Sequence, residues 1–597
     1  VPCGWIGATF HDGVKESSTL VRIGSLVAGL AILAVPAVAT LTQLRVLLTP
    51  GTETYVVFLL VLLTSTLLAG VSATHSLGRF AGALASLAAT WILVRHWRDV
   101  YGVPAGRLTL IATLLVGAVL IYLYSRFIWP AMSPKTWWRV TAFGVGLSLA
   151  VLVVTYYSSQ YLRWVVLQKI DSIGAPLETV LGPSPAKIYA EGQKPAAAFP
   201  VQNLPDLPAA GPDSPDVVFI LVDNLRADAL AAWGGDPDLM PELNHLAADS
   251  IVFTDVHADS SWTRPSVASF FTGLLPEEHG ARDRDEALDP RFTTLAERFQ
   301  SLGYHTAAFV SNYAAVGKSA GFDQGFETFD EVEGEPYARA EAVDAAVEKS
   351  LGASDPQGPL FLYVHYLDPH APYLAGVQPA GHGIGAARPA YEAEVRYLDG
   401  QIAQLLAHLE TLRGRPAWVF FTSSHGVELG DHDSAGYGHT LYNELIHVPA
   451  ILWTSGVDPE KADFPLEARD FFDLLPRLAA KPLGVTQWAR NHGRDVRYAS
   501  LYYTEPRMAW RNHPVVASRR IDVGPESAIW YGWGDTYELY DERADPRERF
   551  NRAGSDAAET ARLSTHLNTI IPPWTPHLAA ESSGKTESQL RALGYLK

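Results

Sequence analysis

Four short stretches hold residues that could bind a cation, activate a hydroxyl and move protons. The run DVVFILV (216–222) is strongly apolar and stops at Asp223-Asn224, with Arg226 close behind. A carboxylate at the carboxyl end of a sheet strand is well placed to hold a cation. In SSWTRPSVASFFTG (260–273), Pro265 suits a first helical turn and Gly273 a stop. Together they predict a helix over 266–272 with Thr263 at or just before its N-cap. A hydroxyl there meets free backbone N–H groups and the positive end of the helix dipole, a good place from which to attack an anionic ester. FLYVHYLDPHAPY (361–373) brings His365, Asp368 and His370 to a strand–loop junction, and AWVFFTSSHG (417–426) ends in Ser424-His425, with His432 and His439 following. Taken singly, a strand-end Asp, a Thr cap or a lone His is ordinary. Their recurrence at strand ends suggests a site where a metal activates a hydroxyl.

These residues need a scaffold. From residue 216 onward, short apolar runs (VVFILV, TAAFV, LFLYVHY, WVFFTS) alternate with amphipathic patterns (RFTTLAERFQSLG, RYLDGQIAQLLAHLETL). That alternation predicts buried parallel strands with helices on both faces of an open α/β sheet. No internal repeat is evident, and no Gly-rich nucleotide-binding pattern.

The N-terminal part differs. Five apolar stretches near spanning length run over 23–42, 54–73, 80–94, 108–124 and 140–157. Trp91, Trp97, Trp129, Trp137 and Trp138 stand beside Arg and Lys at their edges, as membrane-interface anchors do. This predicts a multi-pass membrane domain over 1–165 in the cell membrane, with the lipid bilayer as a partner. A weak excess of basic residues on one set of loops places the remainder outside the cytoplasm. Residues 166–213, rich in Pro and Ala, read as a linker. The expected catalytic domain covers 214–480, and a C-terminal subdomain with a tail covers 481–597. A net charge of −18 without a dense basic stretch argues against nucleic acid as a partner. The single cysteine, Cys3, permits no intrachain disulfide.

The order of motifs resembles the sulfatase family of the alkaline phosphatase superfamily. Asp223-Asn224-x-Arg226 is similar to its first metal strand. Thr263-x-Pro265-Ser266 with Thr272-Gly273-x-x-Pro276-x-x-His279-Gly280 is similar to its nucleophile signature. HYLDPHAPY, SSHG, TLYNELIHVP, ELYDERADPRERFN and LRALGYL follow in family order, so the resemblance covers about 214–597. It implies an alkaline-phosphatase-like α/β/α sandwich with a small C-terminal sheet subdomain. It also implies a divalent metal (Zn, Mn or Ca) held by Asp223, Asn224, Thr263, Ser424 and His425. His365, His370 and His439 are implied to bind ester oxygens, hold a second metal or protonate the leaving group, and Arg264 either to neutralise substrate charge or to pair with a local acid.

Two departures stand out. Family sulfatases carry a Cys or Ser that becomes formylglycine, ending in Arg; this chain has Thr263 and Val267. A threonine matches the related lipoteichoic-acid synthases and phosphoethanolamine transferases, which also carry five N-terminal spans. That resemblance implies attack by Thr263 on a phosphate ester of a lipid headgroup or envelope glycan. The alternatives are sulfate-ester hydrolysis without formylglycine, or a non-catalytic member that binds an anionic glycan or headgroup. The second departure is Ser424 where the family has a metal-binding Asp. Asp431 and Asp433 lie near enough in sequence to be candidate substitutes.

Overall fold

The computed structural model describes residues 200–589 except 203, 354–357, 378–384, 481–483, 503–516, 532–535, 571–577, 580–584 and 587. All five apolar stretches of the N-terminal part lie outside the described residues. Among the described residues, no helix is long and apolar enough to cross a membrane.

An eight-stranded mixed sheet forms the centre. Its strands are β1 (Asp216–Val222), β2 (Ile251–Phe253), β3 (His305–Val310), β4 (Thr328–Glu331), β5 (Leu360–Tyr366), β6 (Ala417–Ser423), β7 (Ala450–Trp453) and β8 (Glu460–Ala462). The spatial order is β8-β2-β7-β6-β1-β5-β3-β4. β1 pairs in parallel with β5 and β6, and β3 in parallel with β5 and β4, while β7 runs antiparallel to both β6 and β2. Every residue of β1 is buried, as a strand covered on both faces requires. The apolar runs singled out in the sequence are β1, β3, β5 and β6.

Helices α1 (Thr263–Thr272), α2 (Leu295–Ser301) and α3 (Phe471–Ala480) contribute to the core on one face of the sheet. Helices α4 (Ala340–Ala353) and α5 (Arg388–Arg413) cover the other. All of α1 is buried. Phe270 and Phe271 meet Phe219 of β1 at ring distances of 5.7 and 6.3 Å, and Phe219 in turn meets Tyr363 and Phe420, each at 5.3 Å. This aromatic packing fixes the helix over the sheet. α1 begins earlier than the sequence pattern predicts: Thr263 is its first residue and Trp262 its cap. Pro265 is tolerated because N–H groups in the first turn have no intrahelical partner anyway. Gly273 ends the helix at φ 69°, and a Cβ there would lie 2.7 Å from the Phe472 ring.

A second sheet follows in the C-terminal part of the described residues. It is antiparallel, with β9 (Val496–Tyr502), β10 (Ala517–Val523), β11 (Glu526–Tyr531) and β12 (Thr536–Asp541) in chain order. The helix Ala557–Ile570 packs Leu563 and Leu567 against Tyr498, Ile521, Ala528 and Leu539 of this sheet.

Candidate active site

Strand register builds the site. Val222 lies level with Tyr366 on one side and Ser423 on the other, so Asp223, His365 and Ser424 emerge together at the carboxyl edge. The Asp223 N–H donates to the Tyr366 carbonyl (2.9 Å) and the Ser424 N–H to the Val222 carbonyl (3.0 Å). His425 is followed by a glycine for a steric reason: a Cβ on Gly426 would collide with the Glu444 carbonyl oxygen.

Asp223 is completely buried and sits at the centre. Thr263 Oγ1, presented by the first turn of α1, donates toward both its oxygens at 2.9 and 3.0 Å and lies 3.4 Å from His425 Nε2. Ser424 Oγ donates to Oδ1, and Asn312 Nδ2, just beyond β3, donates to Oδ2 at 2.7 Å. His425 Nε2 lies 3.4 Å and His365 Nε2 3.8 Å from the carboxylate. Burial opposes ionisation of Asp223. The imidazoles of His365 and His425 and the bonds from Ser424 and Asn312 outweigh it and hold the carboxyl below its usual range. Burial also pushes His365 down to about 4, against the pull of Asp223, and lowers His425 and His370. The centre is therefore a carboxylate among neutral imidazoles at neutral pH.

His370 belongs to the same neighbourhood through Tyr437. The Tyr437 hydroxyl lies 2.6 Å from His370 Nε2, and its ring lies 4.7 Å from that of His425. His370 Nδ1 bonds to the Ala371 carbonyl.

Other candidates are placed elsewhere. Arg264 does not offer its charge to a substrate. It is buried and donates to five backbone carbonyls, of Asp283, Arg284, Glu286, Ala314 and Ala315. Position explains this, because a side chain following Thr263 on a wholly buried helix enters the packing. His439 is committed to Glu428 (2.6 Å) and Ser434 (3.0 Å). Asp431 pairs with Arg226 (2.7 Å) and accepts the Leu429 N–H, so it does not replace the missing family carboxylate; the Asp433 side chain lies outside the described residues. Asp368 accepts the Ala340 N–H at the start of α4 and faces Arg339.

Does the donor set suit a divalent cation? Asn224 is held at φ 61°, a costly backbone for a residue other than glycine, and its Oδ1 is buried without a hydrogen-bond partner. His365 is buried with neither ring nitrogen hydrogen-bonded. His425 Nδ1 donates to the Gly426 carbonyl (2.8 Å), which leaves Nε2 as a lone pair facing Asp223 and Thr263. Asp223, His425 Nε2 and Thr263 Oγ1 lie together as donors that suit a cation, and Asn224, next in the chain, carries an unpartnered amide oxygen; Ser424 acts as a donor to Asp223 rather than as a second carboxylate.

The sequence reading missed Tyr437 as a site residue and passed over Asn312, although Asn312 follows a strand just as Asp223 and Ser424 do. That shared position was the available signal.

Comparison with known proteins finds matches over the segment that holds these residues. Residues 215–479 match the family model described as Sulfatase. An uncharacterized sulfatase of Escherichia coli is 20% identical over 45% of this chain and 67% of its own length. The ulvan-active sulfatase of Formosa agariphila is 26% identical over 45% of this chain and 61% of its own. Among solved structures, the phosphonate monoester hydrolase from Silicibacter pomeroyi aligns at TM-score 0.48 with 19% identity, covering 60% of this chain and 94% of that one. The segment 215–479 is therefore similar to sulfatase-family domains, and the matches support an ester hydrolase.

Proposed function

We propose that this domain cleaves a phosphate ester through Thr263, releasing the phosphoryl group to water or to an acceptor alcohol. The observation that carries the reading is Thr263 Oγ1 at 2.9 and 3.0 Å from the two oxygens of a buried, ionised Asp223. In the first step Thr263 gives its proton to Asp223 while Oγ1 bonds to phosphorus, and the bond to the leaving oxygen breaks. The leaving oxygen takes a proton from the Tyr437–His370 pair. In the second step water attacks the phosphothreonine, Thr263 recovers its proton from Asp223, and the proton lost by water restores the pair. A divalent cation held by Asp223, Asn224, Thr263 and His425 would neutralise charge on the ester oxygens and favour the ionised hydroxyl.

A second reading is sulfate-ester hydrolysis by the same residues. It is favoured by the curated relatives, several of which are named as sulfatases, among them the N-acetylgalactosamine-6-sulfatase of Rattus norvegicus. Threonine is a secondary alcohol whose oxidation gives a ketone, so this reading requires direct attack rather than an aldehyde. Binding without turnover is the remaining alternative. The apolar stretches before residue 160 support a membrane anchor with the domain on the extracytoplasmic side, so that a lipid headgroup or envelope glycan would be within reach.

Paired aryl phosphodiester and aryl sulfate substrates, assayed alongside metal content, decide among these. Phosphodiester turnover that requires bound metal is expected. Turnover of the sulfate alone overturns the phosphate reading, and tight ester binding without turnover overturns both.

A further inference from the structure

The turn that carries Asn312 is gripped from two sides. Arg264, the neighbour of Thr263, donates Nε to the Ala315 carbonyl (2.7 Å) and Nη2 to the Ala314 carbonyl (2.9 Å). From the other side comes Gln589, 275 positions after Ala314. Its Oε1 accepts the Ala314 N–H at 2.7 Å, and its Nε2 donates to the Ser311 carbonyl at 2.7 Å. Only 3% of Gln589 is exposed. The same tail is fixed further out: Lys585 pairs with Glu333 (3.0 Å) and Glu331 (3.3 Å) and lies over the Tyr313 ring.

A primary amide carries both an acceptor and a donor, so one side chain serves a backbone N–H and a backbone C=O three residues apart. Buried backbone groups must find partners. Without Gln589, the Ser311 carbonyl and Ala314 N–H would each have to find another, and the turn would move to reach it. Asn312 lies between them, and its 2.7 Å bond to Asp223 does not survive a shift of an ångström.

We propose that Gln589 is a positioning residue for the Asp223–Thr263 centre. Together with Arg264, it clamps the turn over 311–315 so that the Asn312 amide meets the carboxylate, and the C-terminal tail thereby completes the site. This rests on the reading of Thr263 as the reacting hydroxyl.

The test uses the full chain with Gln589→Ala, Asn312→Ala and the double variant, assayed on the aryl ester that the wild type turns over. Gln589→Ala should lower kcat by about tenfold to a hundredfold, as small misplacements in active sites do, with KM and the melting temperature nearly unchanged. In the Asn312→Ala background the same change should cost nothing more, because its effect runs through Asn312. Equal fold losses in both backgrounds, or a loss that tracks the melting temperature, overturn the proposal. Hydrogen exchange gives a readout independent of turnover. Gln589→Ala should deprotect the Ala314 amide while leaving β5 protected, and unchanged protection at Ala314 overturns the proposal even if no ester is turned over. An inactive wild type whose Ala314 amide is deprotected by Gln589→Ala would instead count against the reading of Thr263.

Discussion

Two buried polar clusters in this chain are built on opposite principles. Around Asp522, charge is matched by charge. Asp522 faces Arg520 at 2.7 Å, His257 at 2.9 Å and Arg497 at 3.4 Å, and Arg520 also pairs with Glu548 at 2.7 Å and with Glu542. His257, Asp522 and Glu542 lie close enough together to hold a metal. The two guanidiniums already supply the positive charge there, so the cluster fastens the C-terminal sheet to the main domain. Around Asp223, by contrast, the carboxylate is met by hydroxyls, an amide and neutral imidazoles. An amide oxygen and an imidazole are buried nearby without hydrogen bonds. Native proteins seldom leave such groups unsatisfied except where a ligand completes them. A saturated cluster holds the fold, and an unsaturated one is a site. Glu428, His432 and Glu444, also near enough for a metal, fall between the two kinds: His432 bonds through both nitrogens, to Glu444 and to the Glu548 carbonyl, while one Glu428 oxygen is buried without a hydrogen bond.

This contrast can be broken by experiment. Thr263→Ala should lower kcat by about a thousandfold or more while leaving the melting temperature unchanged, since a lost nucleophile affects the reaction and not the packing. Arg520→Ala should do the reverse. It leaves Glu548 buried without its cation and Asp522 with Arg497 as its one remaining guanidinium, at a cost of about 3–5 kcal/mol in chemical denaturation, while kcat of the molecules that remain folded is retained. If Arg520→Ala abolished turnover in fully folded protein, the division between holding and reacting clusters would fail.

Much of the fold was legible because buried parallel strands are continuous apolar runs that end where the polar edge begins. The same logic exposed Asp223, Thr263 and His425, each at the end of a strand or the start of a helix. The resemblance misled at Arg264, whose place beside Thr263 suggested substrate contact although the helix is wholly buried. Local spacing was silent on Gln589, since a contact across 275 positions leaves no periodic trace. The pairing of Asp431 with Arg226 was hidden for the same reason.

Smaller effects sharpen the picture. Gly273→Ala meets both the positive φ and the Phe472 ring, and should destabilise by about 1–3 kcal/mol, with the loss appearing in denaturant midpoints and not in kcat. His279 tests the electrostatics of burial apart from the site. Burial lowers it to about 3, with its ring held by Ser269 and the Ala281 N–H. The unfolded chain binds this proton below about pH 6.5 and the folded chain does not, so the contribution of His279 to stability falls as pH drops from 6.5 toward 3. Relative to His279→Gln, the wild type should lose about 1 kcal/mol per pH unit over that window. Parallel stability curves for the two proteins would mean that this histidine is not kept neutral by the fold.

The most direct test of the central claim is the mass of Thr263 during turnover. Protein quenched within the first turnovers of an aryl phosphodiester and digested should yield the peptide containing Thr263 with an added phosphoryl group that still carries the second ester substituent, absent in Thr263→Ala. Turnover at full rate with Thr263 unmodified, or retained by Thr263→Ala, would contradict the account.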